Sequence, residues 1–187
     1  LLGSSGQSNT AIGSCALVTN GNADQNTAVG AFALACNTTG ETNTAVGRHA
    51  LIANTTGGDN VAVGRNSLVA NTTGSGNVAI GENAASKQTD AGNNVAVGRD
   101  SLLCNVNGGN NTAVGDLALE MNTVNKNTAM GNQALEGNTT GECNAGFGFC
   151  AGHLMTTGGN NAAFGSFSLQ ANTTASNNTA VGTCALF

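Results

Sequence analysis

The stretch Asn60-Val61-Ala62-Val63-Gly64 decides the fold, because close variants of this pentad recur along the whole chain. Eleven copies follow one another at intervals of 17 residues, apart from a single interval of 16. A unit this short cannot bury a core by itself, so its copies must stack. We therefore read residues 1–187 as one repeat array, with coils that begin at Asn9, Asn26, Asn43, Asn60, Asn77, Asn94, Asn111, Asn127, Asn144, Asn161 and Asn178.

Each unit contains two short apolar runs separated by corners that are rich in glycine and asparagine. In the coil that begins at Asn60, the second run is Ser67-Leu68 and the corner is Asn71-Thr72-Thr73-Gly74. Apolar runs this short, interrupted by glycine, do not support a helix. They are typical of a strand and turn. We predict an all-β protein: a β-solenoid, or parallel β-roll, of about eleven 17-residue coils.

Composition narrows the classes of partner. The net charge is −5, and the five basic residues are spread singly, so we expect no binding to nucleic acid or to an anionic membrane. The sequence contains no run of 18 apolar residues, so we expect no insertion into a membrane. The chain does not begin with Met, which indicates a processed or excerpted product. Six cysteines without a Cys-x-x-Cys pair favour an oxidising, extracellular setting.

Strand alternation predicts which residues face inward. The residue before each pentad glycine is always bulky and apolar, as at Val63, so we assign this column to the core. The preceding residue then points outward, and its uniform small size indicates either a partner backbone or a bend without room for bulk. The leucines of the second run fill the remaining core or the same interface. The predicted partner-facing residues are Ala28, Ala45, Ala62, Ala79, Ala96 and Ala113.

Two asparagine columns run along the array, one opening the pentad and one in the corner. Stacked side-chain amides would form ladders. Alternatively, the asparagines only serve the corner conformation. Several corners also match the N-glycosylation pattern. The candidate glycosylation sites are Asn37, Asn54, Asn71, Asn110, Asn138, Asn172 and Asn177.

The pentad at 77–81, Asn-Val-Ala-Ile-Gly, followed by Ala84, resembles the head repeats of trimeric autotransporter adhesins. That resemblance implies a left-handed parallel β-roll made of three chains. The longer unit from Asn26 through Ala33-Leu34 to Gly40 is similar to repeats in phage tail-fibre shafts and related secreted fibre proteins. This resemblance implies a fibre, and it covers essentially the whole chain.

The sequence offers little for catalysis. His49 and His153 lie six coils apart, and the acidic residues are scattered, so we expect no enzyme, no metal site and no cofactor. The residues after the pentad glycine form a charged column in which Glu82 would lie between Arg65 and Arg99, with Asp116 beside Arg99. Such pairs would fix the register of the coils and keep this face soluble.

The ends of the chain complement one another. Residues 178–187 provide the first part of a coil, and residues 1–8 provide its missing corner. Joined head to tail, they bring Cys184 within one coil of Cys15 of the next subunit, which predicts an intermolecular disulfide. Cys143 and Cys150 are a second candidate pair.

We expect a non-enzymatic, extracellular structural protein: a fibre subunit or shaft that assembles with itself, head to tail and as a trimer. The main alternative is an adhesin or viral tail-fibre segment that contacts a cell-surface receptor or glycan through His49, Asn66, Asn83 and Asp100. A third hypothesis, an ice-binding protein, rests on the Thr-Thr corners, whose run is interrupted at Thr89-Asp90, Val106-Asn107 and Thr123-Val124.

Overall fold

The computed structural model describes residues 6–187 as a stack of parallel coils with one short strand in each. Every strand pairs only with the strands that precede and follow it in the chain, and consecutive strands match residue for residue. This confirms the predicted all-β solenoid. The strands are β1 (Thr10–Ile12), β2 (Thr27–Val29), β3 (Thr44–Val46), β4 (Val61–Val63), β5 (Val78–Ile80), β6 (Val95–Val97), β7 (Thr112–Val114), β8 (Thr128–Met130), β9 (Ala145–Phe147), β10 (Ala162–Phe164) and β11 (Thr179–Val181).

The one coil of 16 residues keeps the register of its neighbours. Thr112 still pairs with Thr128, so the missing residue is taken from the corner and not from the strand. Val124 takes over the corner position, and its carbonyl accepts hydrogen bonds from Asn111 Nδ2 (2.7 Å) and Asn122 Nδ2 (2.8 Å). The corner therefore accommodates the change in coil length, and the strand keeps its length and register.

The second apolar run is a series of tight turns and not a strand. Its residues alternate in backbone conformation, with positive φ at Phe32 (59°) and Leu34 (51°). The N–H of Phe32 donates to Ser14 O of the preceding coil (2.9 Å), and the N–H of Leu34 donates to Ala50 O of the following coil (3.0 Å). Left-handed conformation is unfavourable for leucine, so the bonds to both neighbouring coils must stabilise it.

The interior of each coil contains small side chains and one leucine, which reverses the predicted parity. Ala62, at the centre of β4, is 0% exposed, and the other alanines of the predicted partner-facing column (Ala28, Ala45, Ala79, Ala96 and Ala113) are equally buried. The prediction that this column points outward is therefore wrong. The bulky column before the pentad glycine points outward instead, and Ile80 is 41% exposed.

The narrow cross-section of the coil explains this reversal. Leu68 and Ala62 belong to one buried cluster, which runs along the axis from coil to coil. The strand alanines and the leucines of the second run contact one another directly. In β9 the strand alanine is replaced by Gly146, and a Cβ there would lie 2.8 Å from Leu135 Cγ. An interior packed at normal protein density has no room for valine opposite leucine.

The pentad glycine is required by both space and conformation. Gly64 has φ of +133°, and a Cβ there would lie 2.5 Å from Gly81 O of the next coil. A side chain at this position would push neighbouring coils apart. This close approach of backbones accounts for the strict recurrence of glycine.

Both asparagine columns are buried over most of the array and hold the corner closed, and the corner column forms the side-chain amide ladder that was one of the two alternatives. Asn54 Nδ2 donates to Asn37 Oδ1 (2.9 Å) and Asn71 Nδ2 donates to Asn54 Oδ1 (2.9 Å). Both columns also converge on one carbonyl in each corner, as Asn60 Nδ2 (2.8 Å) and Asn71 Nδ2 (3.0 Å) both donate to Gly74 O. The buried amide nitrogens of these asparagines are thus satisfied by the corner of their own coil and by neighbouring coils.

Two coils depart from this pattern in the same compensating way. Where the core leucine is replaced by Ala85 or Gly152, the corner asparagine three residues later is replaced by the longer Gln88 or Met155. A Cβ at Gly152 would lie 3.1 Å from Met155 Cε, so the methionine fills the space that leucine occupies elsewhere. Asn71 Oδ1 has no hydrogen-bond partner, because Gln88 Nε2 donates to Ala91 O (3.1 Å) and not to Asn71.

Candidate assembly surfaces

The most extensive candidate surface is the outer side of the sheet. We define the valine face as the outward side chains at the first and third positions of strands β1 to β11. Its third-position column is apolar throughout and half-buried or exposed in the single chain: Ile12, Val29, Val46, Val63, Ile80, Val97, Val114, Met130, Phe147, Phe164 and Val181. An apolar strip that follows the whole array is the type of surface that usually meets another protein.

Aromatic residues widen this face near the end of the array. Phe147 and Phe164 stack with ring centroids 4.9 Å apart and planes inclined by 4°. Both rings lie on the outer face, because they belong to the third-position column. Phe149 and Phe167 form a second, edge-to-face pair with centroids 5.1 Å apart.

The two ends of the stack form a second pair of candidate surfaces. Within residues 6–187, one edge of β1 and one edge of β11 have no neighbouring strand, and Ile12 and Val181 are the most exposed members of their column (60% and 74%). An open cavity of about 280 Å³ lies over the last coil between Leu169, Asn172 and Leu186. A further coil stacked there would cover these groups.

The residues before β1 already follow the path of a corner. Asn9 Nδ2 donates to Ala23 O (2.8 Å), and the N–H of Gln7 donates to Asp24 Oδ1 (2.6 Å). Residues 1–5, which the sequence analysis assigned to the same corner, lie outside the described residues. The described part of this segment thus packs on the corner of the following coil.

All six cysteines are free in the structure. The predicted bond between Cys143 and Cys150 is absent. Cys143 precedes β9 and Cys150 follows it, so extended chain separates the two residues. Cys150 is buried, and this burial raises the pKa of its thiol, as does the nearby charge of Glu136. Cys15 and Cys184 are exposed in the first and last coils, so they could pair only between subunits.

Burial divides the candidate glycosylation sites. Asn37, Asn54, Asn71 and Asn138 are fully buried within the amide ladder, so the prediction of glycans at these sites is wrong for the folded chain. Their amide nitrogens donate to neighbouring carbonyls, and a glycan would break those bonds. Asn110 and Asn177 are exposed, and Asn172 is partly exposed, so these three remain candidates.

The charged column forms two of the expected contacts between coils. Arg65 pairs with Glu82, and Arg99 Nη2 lies 2.9 Å from Asp116 Oδ2. The predicted contact of Arg99 with Glu82 is not formed. Arg99 makes its second contact with Asp100 (2.9 Å) instead. Beside this column, Asn66 Nδ2 donates to Asn83 Oδ1 (3.1 Å), and Asn83 Nδ2 donates to Asp100 Oδ1 (3.0 Å).

The threonine corners use their hydroxyl groups internally. Thr38 Oγ1 donates to Thr55 O (2.9 Å), and Thr55 Oγ1 donates to Thr72 O (3.0 Å). In these corners the hydroxyl hydrogen of the first threonine is therefore directed along the solenoid. Only the second threonine of each pair, such as Thr56, is free to present its hydroxyl to solvent.

The two histidines lie in different surroundings. His153 Nδ1 is 3.4 Å from Glu136 Oε2 in the preceding coil, whereas the ring of His49 lies 5.6 Å from that of Phe32.

Among residues 6–187, no group of three or more His, Cys, Asp and Glu side chains is arranged to bind a metal ion. Over the same range, no helix is long and apolar enough to cross a bilayer.

Comparison of the chain with protein-family models, with curated proteins and with solved structures finds no match.

Proposed function

We propose that this protein is a non-enzymatic structural component of an extracellular fibre, in which copies of the chain associate with one another. The observation that carries the proposal is the valine face. A solenoid that acted alone would expose this apolar strip to water along its full length, at a cost of roughly 25 cal/mol for each Å². Burial against another protein removes that cost.

A second copy of the chain is the partner that fits this face best. The valine face repeats once per coil, and only a partner with the same axial repeat can match it over many coils. A copy of the chain has that repeat by construction. The resemblance to trimeric adhesin heads favours three copies around one axis, with the bulky column and not the alanine column at the contact.

The outward side chains of β4 and β6 provide a direct test of lateral association. Glutamate at Val63 and Val97 would place charges in the contact while leaving the interior of each coil unchanged. We expect light scattering coupled to size-exclusion chromatography to show an oligomer for the wild type and a monomer with the same circular dichroism for Val63→Glu/Val97→Glu. The control is Val61→Thr/Val95→Thr, which copies the residue found at the equivalent positions Thr27 and Thr44. A wild-type monomer would refute the proposal.

Axial stacking is the second element of the proposed assembly. The open edges of β1 and β11 can extend the sheet without a change in register, and the disulfide between Cys15 and Cys184 would lock that joint. We expect non-reducing electrophoresis to show a ladder of covalent multimers that disappears in Cys184→Ser. Filaments seen by electron microscopy without such a ladder would support stacking and refute the covalent joint.

The alternative function as an adhesin is supported by the side-chain ladder of Asn66, Asn83 and Asp100. Ordered amide and carboxylate groups on an outer surface could hydrogen-bond to the hydroxyl groups of a glycan. Binding of the isolated chain to a glycan array, lost in Asn83→Ala, would favour this function. If the isolated chain binds no glycan on the array, that result would favour a purely structural role.

A further inference from the structure

A pair of sulfur atoms lies on an outer corner of the solenoid. Cys104 Sγ is 3.9 Å from Met121 Sδ, and Lys87 Nζ lies 3.5 Å from the same Sγ. These three residues occupy equivalent positions in three consecutive coils, 17 residues apart. Cys104 is partly exposed and Met121 is 43% exposed, so a solute can reach both sulfur atoms.

The backbone holds this pair in place. The N–H of Cys104 donates to Glu120 O (2.8 Å), and the N–H of Met121 donates to Glu136 O (3.1 Å). The spacing of the two backbones, and with it the reach that the side chains must cover, is therefore set by the stacking of the coils. A site that is already organised in this way loses less conformational entropy on binding than a flexible one.

We propose that Cys104 and Met121 form a binding site for a soft monovalent metal ion, Cu(I) in particular. Two sulfur ligands at about 2.3 Å from a metal with tetrahedral bond angles lie roughly 3.8 Å apart, which agrees with the observed separation. Solvent would fill the remaining positions of such a metal. A thiolate and a thioether together favour Cu(I) over harder cations. On binding, the Cys104 thiol releases its proton to solvent, both sulfur atoms bond to the metal, and no residue is oxidised or reduced.

The chain contains an internal control for this proposal. Cys36 occupies the same position in its own coil and is also exposed, but the equivalent residues in the neighbouring coils are Thr19 and Ala53. Cys36 therefore has no second sulfur atom beside it. It should bind Cu(I) only as an isolated thiol.

The test uses the full chain with Cys15, Cys143 and Cys184 replaced by serine, so that Cys36 and Cys104 are the exposed thiols. Cu(I) is supplied without oxygen, in competition with bicinchoninate. We expect one tight site, which weakens about tenfold or more in Met121→Leu and disappears in Cys104→Ser, while Cys36→Ser leaves it unchanged. Leucine has nearly the volume of methionine, and circular dichroism checks that each variant folds. If Met121→Leu binds Cu(I) as tightly as the parent variant with the three serine substitutions, the proposal is wrong.

A gain-of-function variant provides an independent test. Ala53→Met places a thioether one coil after Cys36, in the relation that Met121 has to Cys104. We expect a second tight Cu(I) site in this variant, which is lost when Cys36→Ser is added. If Ala53→Met binds no more Cu(I) than the background, the spacing of the coils does not create the site, and the proposal is wrong.

Discussion

Ala62 and Val63 are neighbours, and the side that each one occupies determines the shape of the molecule. Because alanine lies inside, the coil is thin, and one leucine and two amides complete its interior. Because valine lies outside, the solenoid presents an apolar strip to its surroundings. An interior column of this kind tolerates little added volume, since Ala62 is stacked between Ala45 and Ala79 of the adjacent coils.

The first prediction concerns this alanine column. Ala62→Leu should lower the free energy of unfolding by about 1 to 3 kcal/mol, because three added carbon atoms must be packed against buried neighbours. Val63→Leu, one residue away on the outer face, should change it by less than about 0.5 kcal/mol. Urea titration followed by circular dichroism would measure both. Equal effects of the two variants would contradict the assignment of inside and outside.

The second prediction concerns the compensating pair Ala85 and Gln88. Gln88→Asn alone should leave a void beside Ala85, and Ala85→Leu alone should crowd Gln88, so each should destabilise the chain. The double variant restores the pattern of the other coils and gives Asn71 Oδ1 a donor, so we expect it to recover at least wild-type stability. The coupling between the two sites should be about 1 to 3 kcal/mol in a double-mutant cycle. Additive single effects would show that the two side chains do not share the same space.

The sequence predicted much at the scale of residues, but not the direction of the side chains. The rule that bulky apolar residues lie inside led to the wrong assignment of Val63 and Ala62. A usable signal was present within the repeat itself. The column that contains Val63 varies from valine to phenylalanine, as a surface permits, whereas the alanine column is almost invariant, as a tightly packed interior requires.

At the scale of elements, each coil consists of one strand, one series of tight turns and one corner closed by two asparagines. The period of the pentad predicted the strand and its register. The alternating left-handed turns around Leu34 could not be predicted from local preferences, because leucine disfavours positive φ. They are stabilised by hydrogen bonds to two other coils, and such bonds are not apparent in a single repeat.

The third prediction addresses the amide ladder. Asn54→Asp should destabilise the chain more than Asn54→Ala, because both variants remove the two donated hydrogen bonds but only aspartate buries a charge. We expect a loss of several kcal/mol for the aspartate variant at pH 7, with partial recovery in acid when the carboxyl group is protonated. The control Asn110→Asp, on an exposed corner, should have little effect. A pH-independent loss in Asn54→Asp would indicate that position 54 is not buried.

The fourth prediction concerns Glu120 and Glu136, which occupy equivalent positions in two adjacent coils. Burial raises the pKa of Glu120, and the charges of Glu136 and Asp100 raise it further, against the opposing effect of Lys87 and Arg99. The folded chain thus holds this proton more tightly than the unfolded chain, so stability falls as the pH rises from the unfolded to the folded pKa and stays lower above it. Glu120→Gln should therefore raise the melting temperature at pH 7 and have no such effect near pH 3. An equal increase at both pH values would exclude a titration effect.

At the scale of the whole molecule, each strand contacts only its immediate neighbours in the stack. Stability is then a sum of contributions from coils and from contacts between coils, and within residues 6–187 the first and last coils each contact one neighbouring coil. The valine face and the open edges are properties of this scale. The period of the repeat predicted the stacking, but the position of the apolar outer face could not be predicted while the parity of the strands was reversed.

The fifth prediction follows from the open ends. Amide hydrogen exchange should be fastest in the coils that contain β1 and β11 and slowest near β6, because the end coils can open without disrupting a second neighbour. Assembly into filaments should slow exchange at β1 and β11 and leave β6 unchanged. Uniform protection along the isolated chain would contradict the additive behaviour expected of a solenoid.

The restriction of contacts to adjacent coils has a consequence for how such a chain can change its length. A duplicated or deleted unit of seventeen codons creates only one new junction, and that junction repeats a contact that already exists between every pair of coils. The shortened corner at Val124 shows that even a unit of imperfect size is accommodated. A gene of this kind can therefore vary the reach of its product in whole-coil steps while preserving the chemistry along its sides.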